Sequence, residues 1–313
     1  MSAPVREQSA TTAEQFVAQV REACGARSIA ESELERRVLA HDASHYLLQP
    51  QAVVRPQSAE HVGSVFAAAA RHGLGLTLRS GGTSLSGQAV TDQVLVDTRR
   101  HFRDVEVLDN GTRVRVQPGV TVRQVNARLA PHGYKLGPDP ASEAACTVGG
   151  VVANNSSGMA CGTEFNTYRT LESMTVVLPS GTVINTADPD ADAQLRAAEP
   201  ELHEGLLRLR QRVMDNPESV RTIERLFAMK NTMGYGLNAF VDFEEPVRIL
   251  EHLMIGSEGT LVSWRRRSSV PSPFTSSWPP ACWSSPRWSP RRVPCRNWWT
   301  STPPPWSCWT PPR

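Results

Sequence analysis

Arg79-Ser-Gly-Gly-Thr-Ser-Leu-Ser-Gly87 lies between two strand-like runs, Leu76-Thr-Leu78 and Val94-Leu-Val96. The stretch has few bulky side chains, many backbone N–H groups and a single cation, Arg79. Successive N–H groups in such a loop make a concave nest for anions. It is not a P-loop, since no Gly-Lys-Ser/Thr follows, and it lacks the G-x-G-x-x-G dinucleotide fingerprint. A ligand carrying phosphate is therefore expected here, held by a less common route than either.

The flanks give this loop a place in a fold. Ala52-Val-Val-Arg55 reads as a strand closed by Pro56. Ser58 caps a helix running to about Ala70, with Gly73 past its end. Strand, helix, strand predicts a βαβ unit with parallel strands. The loop then sits at the C-terminal end of the second strand, where α/β sheets bind ligands. Residues 12–23 and 31–39 have helical spacing. Val105-Glu-Val-Leu108, the turn Asp109-Asn-Gly111 and Arg113-Val-Arg-Val116 predict a hairpin, because Asn-Gly supplies the positive φ of a tight turn. Thr121 opens a helix to Leu129. Residues 171–178 and 182–185 read as a second hairpin, 188–229 as polar helix broken at Pro200 and Pro217, and 243–253 as another short helix.

Two further glycine-punctuated stretches lie far downstream. One is Thr147-Val-Gly-Gly-Val-Val-Ala-Asn-Asn-Ser-Ser-Gly158, whose small residues let backbone approach a ligand. The other is Met254-Ile-Gly-Ser-Glu-Gly-Thr-Leu261. Taken singly, each suits an ordinary turn. Together they suit one elongated ligand lying across a two-part domain. Gly137-Pro-Asp-Pro140 marks a domain seam or a ligand loop.

These segments, with Gly137-Pro-Asp-Pro-Ala-Ser142 and Lys230-Asn-Thr-Met-Gly-Tyr235, resemble the FAD-binding domain of the vanillyl-alcohol-oxidase superfamily, over roughly residues 42–261. Within it the chain is similar to the FAD-linked D-lactate dehydrogenase and glycolate oxidase branch. Asn154-Asn-Ser-Ser-Gly-Met-Ala-Cys-Gly162 resembles the long D-lactate dehydrogenases that carry an iron–sulfur half. The resemblance implies an α+β fold: a PCMH-type FAD-binding domain of two α/β subdomains with FAD between them. It implies that Arg79, Ser80, Gly81, Gly82, Thr83, Ser84, Leu85 and Ser86 wrap the FAD pyrophosphate, near Pro118 and Gly119. Pro138, Asp139 and Ser142 would lie along the flavin. Thr147, Gly149, Gly150, Asn154, Asn155 and Gly158 would line the ribityl chain and ring edge. Arg79 is either a phosphate ion pair or a solvated strand-end Arg. Glu258 either caps local N–H groups or faces the cofactor. No His stands in the pyrophosphate loop to tether a flavin, so FAD is expected to be non-covalent. Cys146 and Cys161 read as small packing residues rather than flavin anchors.

The implied reaction oxidises a small D-2-hydroxy acid to a 2-oxo acid, with FAD taking the hydride. In the intact family the substrate groups and the catalytic base come largely from a cap domain, and electrons leave through the iron–sulfur half to an acceptor that can lie at the membrane. No cysteine cluster for iron–sulfur ligation is present, no spacing suggests a metal, and no catalytic residue is named. A non-catalytic flavin-binding fragment and an NADPH-dependent reductase of the same fold are the competing readings.

The expected organisation is a helical segment over 1–47, an FAD-binding domain over 48–262 with subdomains 48–130 and 131–262, and an aberrant, disordered tail over 263–313. Composition sets that tail apart. All eight Trp lie at or beyond Trp264, and the last acid is Glu258. The tail carries eight Arg, so of a net +2 for the whole chain it supplies +8, leaving about −6 for residues 1–263. The basicity is therefore no nucleic-acid footprint. No secretory or transmembrane segment is read, and a reducing cytoplasm is expected. With GC-rich codons read one base earlier, 264–267 become Val-Ala-Glu-Ala, and 298–312 become an amphipathic, acidic string, Leu-Val-Asp-Val-Asp-Ala-Ala-Ala-Val-Glu-Leu-Leu-Asp-Ala-Ala. Out-of-frame translation is the expectation. Resequencing the gene is expected to show one base gained or lost near codon 262; a clean present frame, shared by relatives, would reject it.

Overall fold

Two helices lead the chain, α1 (Pro4–Cys24) and α2 (Glu33–Val38). The computed structural model describes residues 4–30, 32–261, 263–266 and 268–269. Ser32 and Glu35 close a capping box on α2. The βαβ region follows as β1 (Ala52–Val54), α3 (Ala59–His72), β2 (Leu76–Arg79) and β3 (Val94–Asp97). Ser58 caps α3 by accepting from His61 N, and Gly73 ends it at φ 62°, as their residue types predict. The strands are parallel as expected, but β3 lies between β1 and β2, with Val94 level with both Ala52 and Leu76. β3 is buried along its whole length, which suits its unbroken apolar run.

The hairpin of β4 (Val105–Leu108) and β5 (Arg113–Val116) turns through Asp109, Asn110 and Gly111, with φ of 46°, 54° and 92°. Next come α4 (Val122–Leu129), boxed by Thr121 and Gln124, then α5 (Val148–Asn154) and α6 (Thr167–Thr170). β6 (Thr175–Val177) and β7 (Val183–Asn185) form the second hairpin. A helical stretch follows as α7 (Ala191–Ala198), α8 (Pro200–Met214) and α9 (Pro217–Phe227). Pro200 and Pro217 each start a helix, where a missing N–H costs nothing. α10 (Ala239–Asp242) and α11 (Pro246–Leu253) lead to β8 (Ser263–Arg266) and β9 (Ser268–Ser269). No helix of the described residues is long and apolar enough to cross a membrane.

One expectation needs correction. The six described residues of the supposed disordered tail are strand: β8 pairs antiparallel with β6, and β9 with β5. Ladder bonds use backbone alone, so the missing side-chain alternation hid them. The rest of 263–313 lies outside the described residues. Val114, Val116, Val125 and Leu129 share one buried cluster with Val151, Met174, Leu195 and Ile249, whereas Phe16, Val54, Val65 and Val94 form another. Phe102 and Val177 pack with Val62 and Phe66 of α3.

α11 is anchored to the second hairpin by a buried charge. Glu251 is fully buried; it accepts from Thr186 Oγ1 and, at 2.7 Å, from Arg248 Nη1. Burial pushes its carboxyl up to about 7, against the pull of Thr186 and Arg248. Burial pushes its neighbour His252 down to about 4, against the Arg248 carbonyl. The His252 ring packs against Tyr168 and Phe243 at centroid distances of 4.8 and 4.1 Å. The linkages oppose. A raised carboxyl loses stability as pH rises from its ordinary 4.5 through 7, and a depressed imidazole loses it as pH falls from 6.5 through 4. Wild-type stability is therefore expected to stay nearly level between these limits. Glu251→Gln should unmask the histidine, with stability rising by about 2–3 kcal/mol from acid to neutral pH. His252→Phe should give the reverse slope. Urea melts across pH check both signs.

Candidate cofactor site

A cavity of about 390 Å³ opens at the C-terminal end of β2. The three glycine-punctuated stretches meet in its wall. Arg79, Ser80, Gly81, Gly82, Thr83, Ser84, Leu85 and Ser86 line it, with Pro118, Ser142, Gly149, Gly150, Asn154 and Glu258. Gly119, Pro138, Asp139, Thr147, Asn155 and Gly158 do not.

The first loop leaves the sheet at Arg79, whose carbonyl accepts from Thr98 N at 2.9 Å and Thr98 Oγ1 at 3.2 Å. The Gly82 carbonyl accepts from Ala43 N at 3.1 Å. Ser80 Oγ donates to the Pro118 carbonyl at 2.9 Å and shares a hydrogen bond with Thr147 Oγ1. Ser84 Oγ donates to Gln88 Oε1. Among the described residues, the backbone N–H groups of Gly81, Gly82, Thr83, Ser84 and Leu85 have no acceptor. Backbone donors are rarely left unpaired in half-buried loops, so this row calls for an acceptor from outside the protein.

Arg79 stands behind the row. Its Nη1 donates to the carbonyls of Leu39 at 3.1 Å and His41 at 2.9 Å. A Cβ at Gly82 would fall 2.8 Å from Nη2, so the guanidinium lies against the loop's back. Burial lowers its pKa, and Asp42 and Asp97 oppose that. Arg79 is thus a staple rather than a solvated strand-end residue, and its charge backs the nest.

The second stretch is not an irregular loop. It folds as α5, capped by Thr147 Oγ1, which accepts from Gly150 N at 3.5 Å, and ended by Asn155 at φ 51°. Gly149 N donates to the Pro118 carbonyl at 2.9 Å. A Cβ at Gly149 would fall 2.7 Å from Pro118 Cβ, so only glycine lets the helix come this close. Gly119 sits behind the wall, its N–H donating to the Phe102 carbonyl at 2.8 Å. Asp139 accepts from Ala160 N at 3.1 Å and Cys161 N at 3.2 Å, and a Cβ at Gly158 would strike the Asp139 carbonyl at 1.8 Å. Asp139 and Gly158 therefore fold the 156–162 loop rather than face the cavity, with buried Pro138 beside them. Lys230 Nζ closes that loop by donating to the Gly158 carbonyl at 2.5 Å.

The third stretch docks on α5. Gly256 N donates to the Val152 carbonyl at 3.0 Å and Glu258 N to the Ala153 carbonyl at 2.7 Å, satisfying the last carbonyls of the helix. Asn154 Nδ2 donates to Glu258 Oε1 at 2.5 Å. Glu258 therefore ties the third segment to the second. Sequence reasoning missed Leu78, Gln88, Ala89, Thr98, Cys146, Ala153, Ser156, Met254, Ser257 and Gly259 in the lining. Ala153, Ser156, Met254, Ser257 and Gly259 stand inside the glycine-punctuated stretches, and Gln88 borders the first, so these were legible; Thr98 carries no local signal. Cys146 is buried, and burial raises its thiol pKa, in keeping with a packing residue.

Fold and site define a nucleotide-binding domain built around backbone donors. Residues 50–187 match the family described as the FAD binding domain. The D-2-hydroxyglutarate dehydrogenase of Pseudomonas putida is 32% identical over 233 residues, covering 72% of this chain and 23% of that protein. Glycolate oxidase subunit GlcD of Escherichia coli is 37% identical over 120 residues, covering 38% of this chain and 24% of GlcD. The chain thus spans about a quarter of the length of these relatives. The solved structure of an alkyldihydroxyacetonephosphate synthase superposes with a TM-score of 0.54 at 18% identity, over 82% of this chain and 40% of that one. Residues 50–187 thus carry an FAD binding domain, and its cofactor is FAD.

Adjacent glycines should respond oppositely to a methyl group. Gly149→Ala is expected to destabilise the FAD-free protein by about 1–3 kcal/mol through overpacking on Pro118. Gly150→Ala, whose Cβ meets nothing closer than Thr147 Oγ1 at 3.7 Å, should be neutral or gain up to about 1 kcal/mol. Denaturant melts distinguish them.

Proposed function

We propose that this chain is the flavin-binding part of a D-2-hydroxy acid dehydrogenase, with non-covalent FAD whose pyrophosphate rests on residues 80–86. The row of unpaired N–H groups from Gly81 to Leu85 carries this reading. Its donors suit two phosphate charges, and the half-buried Arg79 guanidinium adds a favourable field from behind. Ser142, Gly149, Gly150 and Asn154 line the remaining wall, where the ribityl chain and ring would lie. Pro118 shapes that wall; Gly119, Pro138, Asp139, Thr147, Asn155 and Gly158 hold it in place. Bound FAD supplies the hydride acceptor for the α-carbon of a hydroxy acid. The hydroxy-acid class is favoured by the relatives' names, D-2-hydroxyglutarate dehydrogenase and glycolate oxidase. Among the described residues no general base is assigned, because Glu258 is bonded to Asn154 and the Cys146 thiol is held protonated by burial.

Replacing Thr83 separates the nest from its side chains. Thr83→Ala keeps the N–H and should bind FAD as the wild type does. Thr83→Pro removes one donor to a charged group and should weaken FAD at least about tenfold. Fluorescence titration with FAD reads both, and equal affinities would reject the nest. Anaerobic addition of D-2-hydroxyglutarate, glycolate or D-lactate should bleach the bound flavin. A yellow protein inert to all three would leave FAD binding without this oxidation; bleaching by NADPH alone would favour a reductase.

A further inference from the structure

Residues 39–48 lie upstream of the FAD binding domain, whose match begins at residue 50. In space they stand against the cofactor loop of residues 79–89. Leu39 and Ala40 are buried with Val53 of β1 and Leu95 of β3, so the segment starts from the sheet itself. It then braces itself. Ser44 N donates to Asp42 Oδ1 at 2.8 Å, Tyr46 N to Ser44 Oγ at 3.2 Å and Leu48 N to the Ala40 carbonyl at 2.8 Å. His41 pairs antiparallel with Leu47. These bonds make a small closed strap.

The strap meets the cofactor loop from its first residue to its last. At the entry, Arg79 Nη1 donates to the carbonyls of Leu39 at 3.1 Å and His41 at 2.9 Å. Further along, Ala43 N donates to the Gly82 carbonyl at 3.1 Å. The Tyr46 ring lies on Gly87, where a Cβ would fall 2.4 Å from Tyr46 Cδ2. At the exit, Ala89 N donates to Asp42 Oδ2 at 3.4 Å, and the Ala89 carbonyl accepts from Arg79 Nη1 at 3.5 Å. The unpaired N–H groups of Gly81 to Leu85 fall between these fixed points. Core burial does not explain the strap's tip: Ala43, His45, Tyr46 and Leu47 are exposed, Tyr46 at 57%. A glycine-rich loop loses more freedom on ordering than other chain. Holding it in shape before a ligand arrives removes that cost from binding. We propose that residues 39–48 belong to the cofactor site, with Asp42 and Tyr46 as positioning residues that shape the anion nest before FAD binds. The inference rests on the flavin reading of the nest.

The test uses the full chain. Fluorescence titration with FAD compares Asp42→Ala, Tyr46→Ala and Tyr46→Phe with the wild type. The two alanine variants are each expected to weaken FAD about tenfold. Tyr46→Phe keeps the ring and should bind as the wild type does. Tyr46 is exposed, so its truncation leaves the core untouched, which urea melts of the FAD-free protein check. Pairing each alanine variant with Thr83→Pro tells positioning from general damage. A residue that acts through the nest loses its effect once the nest is broken, so the double variants should bind FAD little worse than Thr83→Pro alone. Losses that multiply would show that the strap supports the fold and not the nest, and would overturn the proposal. Wild-type affinity in both alanine variants, or an equal loss in Tyr46→Phe and Tyr46→Ala, would overturn it too. Thr83→Pro separates the two levels of inference. If it weakens FAD while the strap variants do not, the nest stands and the strap falls. If it leaves FAD binding unchanged, the nest reading is rejected and the strap with it.

Discussion

The Pro118 carbonyl oxygen accepts from Ser80 Oγ and from Gly149 N, each at 2.9 Å. One belongs to the loop after β2 and the other to the first turn of α5. This oxygen therefore fixes the distance between the anion nest and the helix that walls it. The arrangement is possible only because residue 149 has no Cβ. With the contact in place, Thr147 Oγ1 can cap α5 and meet Ser80 at once. The terminal carbonyls of the same helix then receive Gly256 and Glu258. Seven residues of helix thus hold three distant segments of sequence in register.

The nest pairs a row of backbone donors with one cation, Arg79, that is already committed to the protein. The Arg79 guanidinium is turned to backbone carbonyls, so its side-chain entropy and desolvation are spent once, on folding. A ligand then meets only fixed N–H dipoles and a charge already in position. Such preorganisation avoids the cost of ordering a flexible side chain at binding. Asp42 and Asp97 temper the charge of Arg79 without entering the cavity.

Elements whose signals are local were legible in the sequence. The Ser58 and Gly73 ends of α3, the Asn-Gly hairpin and the helix starts at Pro200 and Pro217 depend on residues within a turn of each other. The convergence of the three glycine stretches was legible too, through residue types at long spacing. Elements set by distant packing were not. α5 read as a loop because Gly149 and Gly150 depress helix propensity; the helix exists because Pro118 and the third segment satisfy its ends. β3 inserted between β1 and β2 because its whole run is apolar, a fact about burial rather than about order in the chain. The family resemblance places Asp139 along the flavin; in the structure its carboxylate accepts from the N–H groups of Ala160 and Cys161, a partnership with no local signal in the sequence.

The end of α5 also stands between two polar hollows. Asn155 adopts the left-handed conformation at φ 51°, which costs a non-glycine residue about 1 kcal/mol. That turn sends consecutive side chains to opposite sides: Asn154 into the wall beside Glu258, Asn155 into the hollow beside Asn238. Gly256, at φ 83°, packs against this helix end, where a Cβ would fall 3.4 Å from Asn155 Cβ. The two cavities are therefore joined by the same short helix that the Pro118 carbonyl holds at its other end.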